Sequence, residues 1–270
     1  MPEGPEVRIL TEVLTTHILF KEIQEISFLG GRYVTHSPPK NYQEIKNSFP
    51  QKIINVCSKG KFIYLILENN FTIWITLGMS GFFTYDEYKH NDVLFKIDNK
   101  NIYFNDYRHF GTISFCTDIN CLYQKLKTIG TFIMDIEFTS EKLERIIKKC
   151  KPSVVLAIFL MNQKKISGIG NYLRSEILYD CRMNPFITLG ELSSMQIEEL
   201  YKSIHKITFA SYHAQAKVLV SEKKYSQNFK FKIYRQSKTP DGEEVKRKVI
   251  SGRSIFFVDS QIEESKISEK

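Results

Sequence analysis

The sequence predicts an α+β protein, and three observations predict it. An apolar helical period opens the chain, alternating apolar runs fill residues 23–116, and helical periodicity returns after residue 139. Pro5 sits where a first-turn proline belongs, and Val7, Leu10, Val13, Leu14 and Ile18 recur at helical spacing, which predicts a helix over 5–19. Strands are predicted at 53–57, 61–68, 71–77, 93–98, 101–105 and 111–116, with Asn69-Asn70 and Asn99-Lys100 as hairpin turns. This half reads as a β-sandwich or a barrel. The composition changes after Cys121, and residues 130–138 read as a connection. Thr139 or Ser140, followed by Glu141, makes a helix cap with an acidic first turn. Helices dominate from there to about residue 215, two of them at 152–161 and 171–181 around the turn Ser167-Gly168-Ile169-Gly170. Residues 216–230 fit neither period, 229–259 alternate again with Pro240-Asp241-Gly242 as a strong turn, and the charged tail after Ser260 reads as mobile.

At 270 residues the chain has room for one large or two medium domains and buries a core without staples. Hydrophobic content of 42% and aromatic content of 13% exclude a disordered chain, and a mean hydropathy of -0.25 excludes a membrane-embedded one. The longest apolar stretch, around residues 62–67, is far short of a bilayer span. Thirty-eight basic against 30 acidic residues leave a net charge of +8, which favours an anionic partner such as nucleic acid. Glu3, Glu6 and Arg8 occupy the place of a signal-peptide core, so the expectation is a reducing, intracellular compartment, nuclear or a viral factory if the source is eukaryotic or viral. Cys57, Cys116, Cys121, Cys150 and Cys181 are then free thiols. With no C-x-x-C among them, no metal site and no cofactor are expected.

Three local features carry chemistry. Met1-Pro2 is a usual context for removal of the initiator methionine, which leaves Pro2 a free secondary amine. Such an amine condenses with a sugar C1′ to an iminium that cannot shed its charge as a neutral imine, so it acts as an electron sink. Glu3 beside it is placed to protonate a leaving group, and Glu6 to oppose the helix dipole; the plainer alternative is a helix lead-in. The turn Gly168-Ile169-Gly170-Asn171, flanked by Lys164, Lys165 and Arg174, reads either as a phosphate cradle at a helix N-terminus or as an ordinary helix hairpin. The segment Asp106-Tyr107-Arg108-His109-Phe110-Gly111 reads as a wedge for a base stack or as loop packing.

Taken together the motifs resemble the formamidopyrimidine-DNA glycosylase and endonuclease VIII family of base-excision enzymes. The matching runs are Pro2-Glu3-Gly4-Pro5-Glu6-Val7, Gly60-Lys61-Phe62, Leu77-Gly78-Met79-Ser80-Gly81, the segment from Asp106 to Gly111, the run from Ser167 to Glu176, and Ser251-Gly252-Arg253-Ser254. They stand in family order across nearly the whole chain. Two departures are visible. No cysteine follows Cys181, with Val258 and Gln261 near where a last zinc pair would stand, which resembles the zincless-finger, endonuclease VIII-like 1 branch. Tyr107 and His109 stand where the family more often has Pro and Arg.

The resemblance implies a β-sandwich catalytic domain with an N-terminal helix at 1–130, a linker at 131–138, a helix-two-turn-helix domain at 139–228, a zincless finger hairpin at 229–261 and a flexible tail at 262–270. DNA would lie in a basic cleft between the two main domains. The implied activity is a bifunctional glycosylase and abasic-site lyase that removes oxidised bases, chiefly pyrimidines and also formamidopyrimidines and hydantoins. Its route is a Pro2 Schiff base followed by β,δ-elimination. By the same resemblance Glu3 is the general acid, while Lys61, Asn171 and Arg253 hold phosphates. A lysine charge near the Pro2 amine lowers its pKa from the reference near 8 and so raises the neutral, nucleophilic fraction. Met79, Arg108 and Phe110 fill the gap left by the extruded base. A lesion-covering loop falls at 215–230, with Lys223, Lys224 and Tyr225 as candidates. The implied partner is duplex DNA carrying oxidised bases or abasic sites, with single-stranded DNA as a second substrate, bound by a monomer without a membrane. The competing reading is a non-catalytic binder of damaged or structured DNA on the same scaffold.

Overall fold

The structure, a computed structural model, describes residues 2–219 and 229–262. They form two compact units, one of residues 2, 6–128 and 219, the other of residues 3–5, 129–218 and 229–262.

The first unit is built on helix α1 (Gly4–Ile18) and eight strands. Of the predicted stripe, Val7, Leu10, Leu14 and Ile18 are all 5% exposed or less, while Val13 is only half-buried. The strands are β1 (Glu22–Phe28), β2 (Gln51–Lys59), β3 (Phe62–Leu67), β4 (Thr72–Thr76), β5 (Phe82–Thr84), β6 (Asn91–Ile97), β7 (Lys100–Asn105) and β8 (Thr112–Cys116). They hydrogen-bond in the order β5-β7-β6-β1-β2-β3-β4-β8. Only two registered pairs, Glu22↔Lys52 and Ile23↔Gln51, join the two four-stranded halves. Leu65 and Ile75 of one half and Phe95, Ile97 and Ile102 of the other line one small apolar cavity with Leu14 and Ile18, so the halves close on a shared core. Two short helices, α2 (Arg32–Thr35) and α3 (Tyr42–Ser48), and helix α4 (Ile119–Lys127), whose N-cap Asp118 accepts from the Asn120 N–H, complete this unit.

Two details depart from expectation. The β6–β7 turn lies at Asp98-Asn99, one residue before the predicted Asn99-Lys100, because Asp98 takes the left-handed conformation (φ 48°) and Lys100 already pairs with Ile97. Strand β1 was not among the predicted strands, since a bulge between Ile23 and Glu25 breaks its alternation and leaves only Ile23 and Ile26 buried. Asn69-Asn70 is a turn as predicted, with Asn70 at φ 65° and the Asn69 side chain accepting from the Phe71 N–H.

The second unit contains β9 (Thr131–Phe132) and β10 (Ile166–Ser167), which pair in parallel, and helices α5 (Ser140–Lys148), α6 (Leu156–Phe159), α7 (Asn171–Asp180) and α8 (Ser194–Leu219). Thr139 caps α5 by accepting from the Lys142 N–H, as the sequence suggested. Residues 131–138, read as a linker, instead carry β9 and the buried side chains of Phe132, Ile133 and Phe138. The predicted helix at 152–161 shrinks to α6. The carbonyls of Pro152 and Val154 are taken by the Gly190 and Leu189 N–H groups, and Val155 bridges Thr188. Helix α7 is enclosed on all sides, with Tyr172 through Leu178 buried, so it forms the centre of a core that includes Phe132, Phe159, Leu200, Ile204 and Ile255.

The unit ends in a hairpin of β11 (Lys246–Ile250) and β12 (Arg253–Phe257). Its turn is Ser251-Gly252, both at positive φ (48° and 74°), and not Pro240-Asp241-Gly242. The proline turn closes a separate small loop, in which the Thr239 N–H donates to the Glu243 carbonyl and Lys238 bridges Glu244. No described helix is long and apolar enough to cross a membrane.

Candidate active site and nucleic-acid interface

A helix leaves its first N–H groups without intrahelical partners, and their partial positive charge attracts an anion. Helix α7 receives no cap from Gly170. Its cap comes from Glu3, whose Oε2 accepts from the N–H of Gly170 at 2.6 Å and Leu173 at 3.2 Å, and whose Oε1 accepts from Tyr172 at 2.9 Å. The Gly4 N–H donates to the Gly168 carbonyl at 2.8 Å, a close approach of two backbones. Gly168 has φ +107°, and a Cβ there would stand 2.8 Å from the Phe132 ring. Gly168 is thus needed for seating the N-terminal segment. Glu3 is 1% exposed and Pro2 is buried.

Asn171 opens α7, and its Oδ1 accepts a 2.8 Å hydrogen bond from Nη2 of Arg174. The same Nη2 donates to the carbonyl of Ser254 at 2.8 Å, and Nη1 donates to that of Ala157 at 3.2 Å. Arg174 is 1% exposed, and burial holds its guanidinium down at about 10, still charged at neutral pH. Arg253, next to Ser254, is exposed at the first position of β12. Asn171, Arg235, Arg247, Ser254 and Phe256 line an open pocket of about 480 Å³ with Tyr234. Arg247 reaches across the hairpin to donate to the Ser254 hydroxyl at 2.8 Å. The loop that brings Tyr234 and Arg235 there is pinned by Glu176, a buried carboxylate accepting from the N–H groups of Lys232, Ile233 and Tyr234.

In the first unit Lys61 stands in the two-residue turn between β2 and β3, where Lys59 pairs with Phe62. Met79, Arg108 and Phe110 lie on two loops that touch. A Cβ on Gly78 (φ +57°) would meet the Gly111 nitrogen and the Phe110 carbonyl carbon at 2.5 Å each, so only glycine allows this approach. Asp106, wholly buried, ties the loops together: it accepts from the Ser80 hydroxyl and, at 2.5 Å, from the Gly111 N–H. The Arg108 N–H donates to Ser80 Oγ at 3.2 Å, and the Arg108 guanidinium lies 5.3 Å from the Phe110 ring centre. Met79 at 37% and Phe110 at 52% exposure are presented to solvent on this rigid base. His109 (φ 54°), part-exposed, meets the buried Asp92 at 2.8 Å, and burial raises the Asp92 carboxyl above its ordinary value against the opposing pull of His109.

Sequence reading did not single out Glu176 or Asp106 as organisers of these loops, or Arg174 as more than a flanking charge. Asp106 and Glu176 lay inside the quoted motifs, but their partners are distant in the chain. Candidates Lys223, Lys224 and Tyr225 lie outside the described residues. Among the described residues no three or more His, Cys, Asp or Glu side chains come together to hold a metal ion. The donor set of a zinc finger does not fit the hairpin, where Val258 and Gln261 stand instead of thiols. Gln261 Nε2 donates to the carbonyls of Leu178 and Met183, both at 2.9 Å, and its Oε1 accepts from the Val258 N–H at 3.0 Å.

An N-terminal sheet unit opening on Pro-Glu-Gly-Pro-Glu, joined to a helical unit whose central helix starts at Gly-Ile-Gly-Asn, defines a base-excision DNA glycosylase. The formamidopyrimidine-DNA glycosylase N-terminal domain model matches residues 1–113, and the formamidopyrimidine-DNA glycosylase H2TH domain model matches residues 129–220. The formamidopyrimidine-DNA glycosylase of Rickettsia canadensis is 32% identical over 215 residues, 77% of this chain and 76% of the relative. That of Carboxydothermus hydrogenoformans is 28% identical over 212 residues, 77% of this chain and 76% of the relative. The MutM (Fpg) protein of Thermus thermophilus shares the fold with a TM-score of 0.80 at 21% identity, covering 96% of this chain and 98% of that one. A Lactococcus lactis formamidopyrimidine-DNA glycosylase bound non-covalently to DNA with an abasic site gives the same TM-score, identity and coverage. The chain belongs to the formamidopyrimidine-DNA glycosylase family.

Proposed function

We propose that this chain excises oxidised bases from duplex DNA and cuts the strand at the resulting abasic site, with Pro2 as the nucleophile. The observation that carries this reading is the capping of α7 by Glu3, which fixes the residue bonded directly to Pro2. After removal of the initiator methionine the Pro2 nitrogen pair forms a bond to C1′, and the base departs with the glycosidic electron pair and a proton. Glu3, a carboxylate in the resting site, takes the proton that the Pro2 amine sheds on bonding and returns it as general acid to the sugar or base. The C1′–O4′ bond then opens, with O4′ taking a proton, to give the iminium. Acting as an electron sink, it acidifies the C2′ proton, which a base removes as the 3′ phosphate leaves, and a second elimination releases the 5′ phosphate. Both departing groups are anions, which suits Lys61, Asn171 and Arg253 as phosphate partners.

The lesion range we propose is chiefly oxidised pyrimidines, with formamidopyrimidines and hydantoins, following the resemblance to the zincless endonuclease VIII-like branch. Met79, Arg108 and Phe110 act as the wedge, an assignment supported by the rigid base under exposed side chains. Single-stranded DNA is a second substrate, and the enzyme works as a monomer.

Borohydride trapping tests the proposal. Mixed with a duplex containing an abasic site, thymine glycol or a formamidopyrimidine, the processed enzyme should give a reduced adduct whose peptide map places DNA on Pro2. Pro2→Gly should bind the abasic duplex yet lose most lyase activity. A processed N-terminus that gives no adduct on any of the three would replace this reading with the non-catalytic binder.

A further inference from the structure

We infer that Arg174 is a positioning residue that fixes Asn171 as a hydrogen-bond donor to a DNA phosphate; the inference rests on the glycosylase reading above. A guanidinium has only donors, so the Asn171 atom it touches at 2.8 Å must be the carbonyl oxygen of the amide. The Asn171 amide therefore turns its NH2 away from Arg174. An amide free to flip would offer an anion its oxygen part of the time, and that oxygen repels a phosphate. Locking the flip converts an ambivalent side chain into a dedicated donor at the first position of α7.

The lock is rigid because Arg174 is itself held. It is enclosed by the core of the unit and anchored on the main-chain carbonyls of Ala157 and Ser254. Ser254 follows Arg253 in β12, so one buried side chain sets both the Asn171 amide and the strand that begins with Arg253. Asn171 lines the open pocket along with Arg235 and Arg247, and this is the face where an oriented donor would meet an anion.

A double-mutant cycle decides between this and a purely structural arginine. The probe is a duplex with a tetrahydrofuran abasic analogue, read as Kd by fluorescence anisotropy. Asn171→Ala should weaken binding by about tenfold in the wild-type background but by no more than about twofold in Arg174→Met, because the amide there is no longer oriented. A structural arginine leaves the Asn171 effect undiminished, so an equal loss in both backgrounds overturns the inference, as does an Asn171→Ala variant that binds normally in the wild-type background. If the methionine variant does not fold, the cycle is run with Arg174→Lys. One ammonium cannot serve Ala157, Ser254 and Asn171 with a planar fork, so the Asn171 effect should again shrink, and a full-sized effect overturns the inference. Borohydride trapping of the wild type keeps the two readings apart. A trapped wild type with an undiminished Asn171 effect sinks only the role of Arg174, whereas an untrapped wild type sinks the glycosylase reading.

Discussion

The Glu3 carboxylate accepts a 2.6 Å hydrogen bond from the Gly170 N–H, 167 residues along the chain, and so the N-terminal segment caps a helix from which it is remote in sequence. Replacing one oxygen with an amide puts a donor against donors. Glu3→Gln should therefore cost about 1–3 kcal/mol in urea unfolding, the range for a buried polar group left unsatisfied. Its effect on chemistry should be uneven. Base removal should fall further than cleavage of a preformed abasic site, which has no base to expel. Equal losses on both substrates would assign Glu3 to architecture alone.

Asp106 bears on DNA through the loops it ties. With Asp106→Ala the N–H groups of Gly111 and Arg108 and the Ser80 hydroxyl lose an organising acceptor, and Met79 and Phe110 lose their common base. Unstacking a paired base costs a few kcal/mol that wedge side chains offset, whereas a single strand has no opposite partner to leave behind. Asp106→Ala and Phe110→Ala should each lower turnover on a paired lesion several-fold more than on the same lesion in single-stranded DNA, measured as the ratio of the two rates. A ratio unchanged from wild type in Phe110→Ala would reduce the segment to loop packing.

What was legible in the sequence was local. Helix α1 announced itself by Pro5 and the spacing from Val7 to Ile18, α5 by Thr139, and α7 by the glycine turn before it, because each signal is complete within one or two turns of chain. The buried polar network was not legible. Arg174 finds Ser254 80 residues away and Glu176 finds Ile233 57 residues away, and nothing near either residue announces those partners. The hairpin turn was not legible for a related reason. Pro240-Asp241-Gly242 has the stronger local turn chemistry, yet the cross-strand register from Lys246↔Phe257 to Ile250↔Arg253 places the reversal at Ser251-Gly252. The helix predicted at 152–161 fell short because residues 189–190 compete for its carbonyls, again a partner from elsewhere.

Gln261 fastens the end of the hairpin with one amide that donates to two carbonyls and accepts one N–H. Gln261→Leu fits the space but orphans all three, so it should destabilise the second unit by about 2–4 kcal/mol, seen as an earlier thermal transition and faster proteolysis of the hairpin. Purified protein should hold no stoichiometric zinc, and a chelator should leave activity and melting temperature unchanged. One tightly held zinc per chain in elemental analysis would contradict the assignment of Gln261 as the fastening.

Arg253 stands exposed at the first position of β12, beside the Ser254 carbonyl that Arg174 holds, and it follows a turn residue, Gly252, around which a Cβ would meet nothing within 4 Å. The strand end is therefore open to the close approach of a ligand. A guanidinium grips a phosphate with two parallel hydrogen bonds, whereas an ammonium offers a single point of charge. Each phosphate neutralised on duplex DNA releases counterions, so removing one contact lowers the slope of log K against log salt by about 0.9. Arg253→Ala should show that loss of slope with weaker binding to an abasic duplex. Arg253→Lys should restore the slope but only part of the turnover, because charge returns without the fork. A slope that does not move in the alanine variant, with turnover near normal, would mean that the tip of the hairpin stays off the DNA.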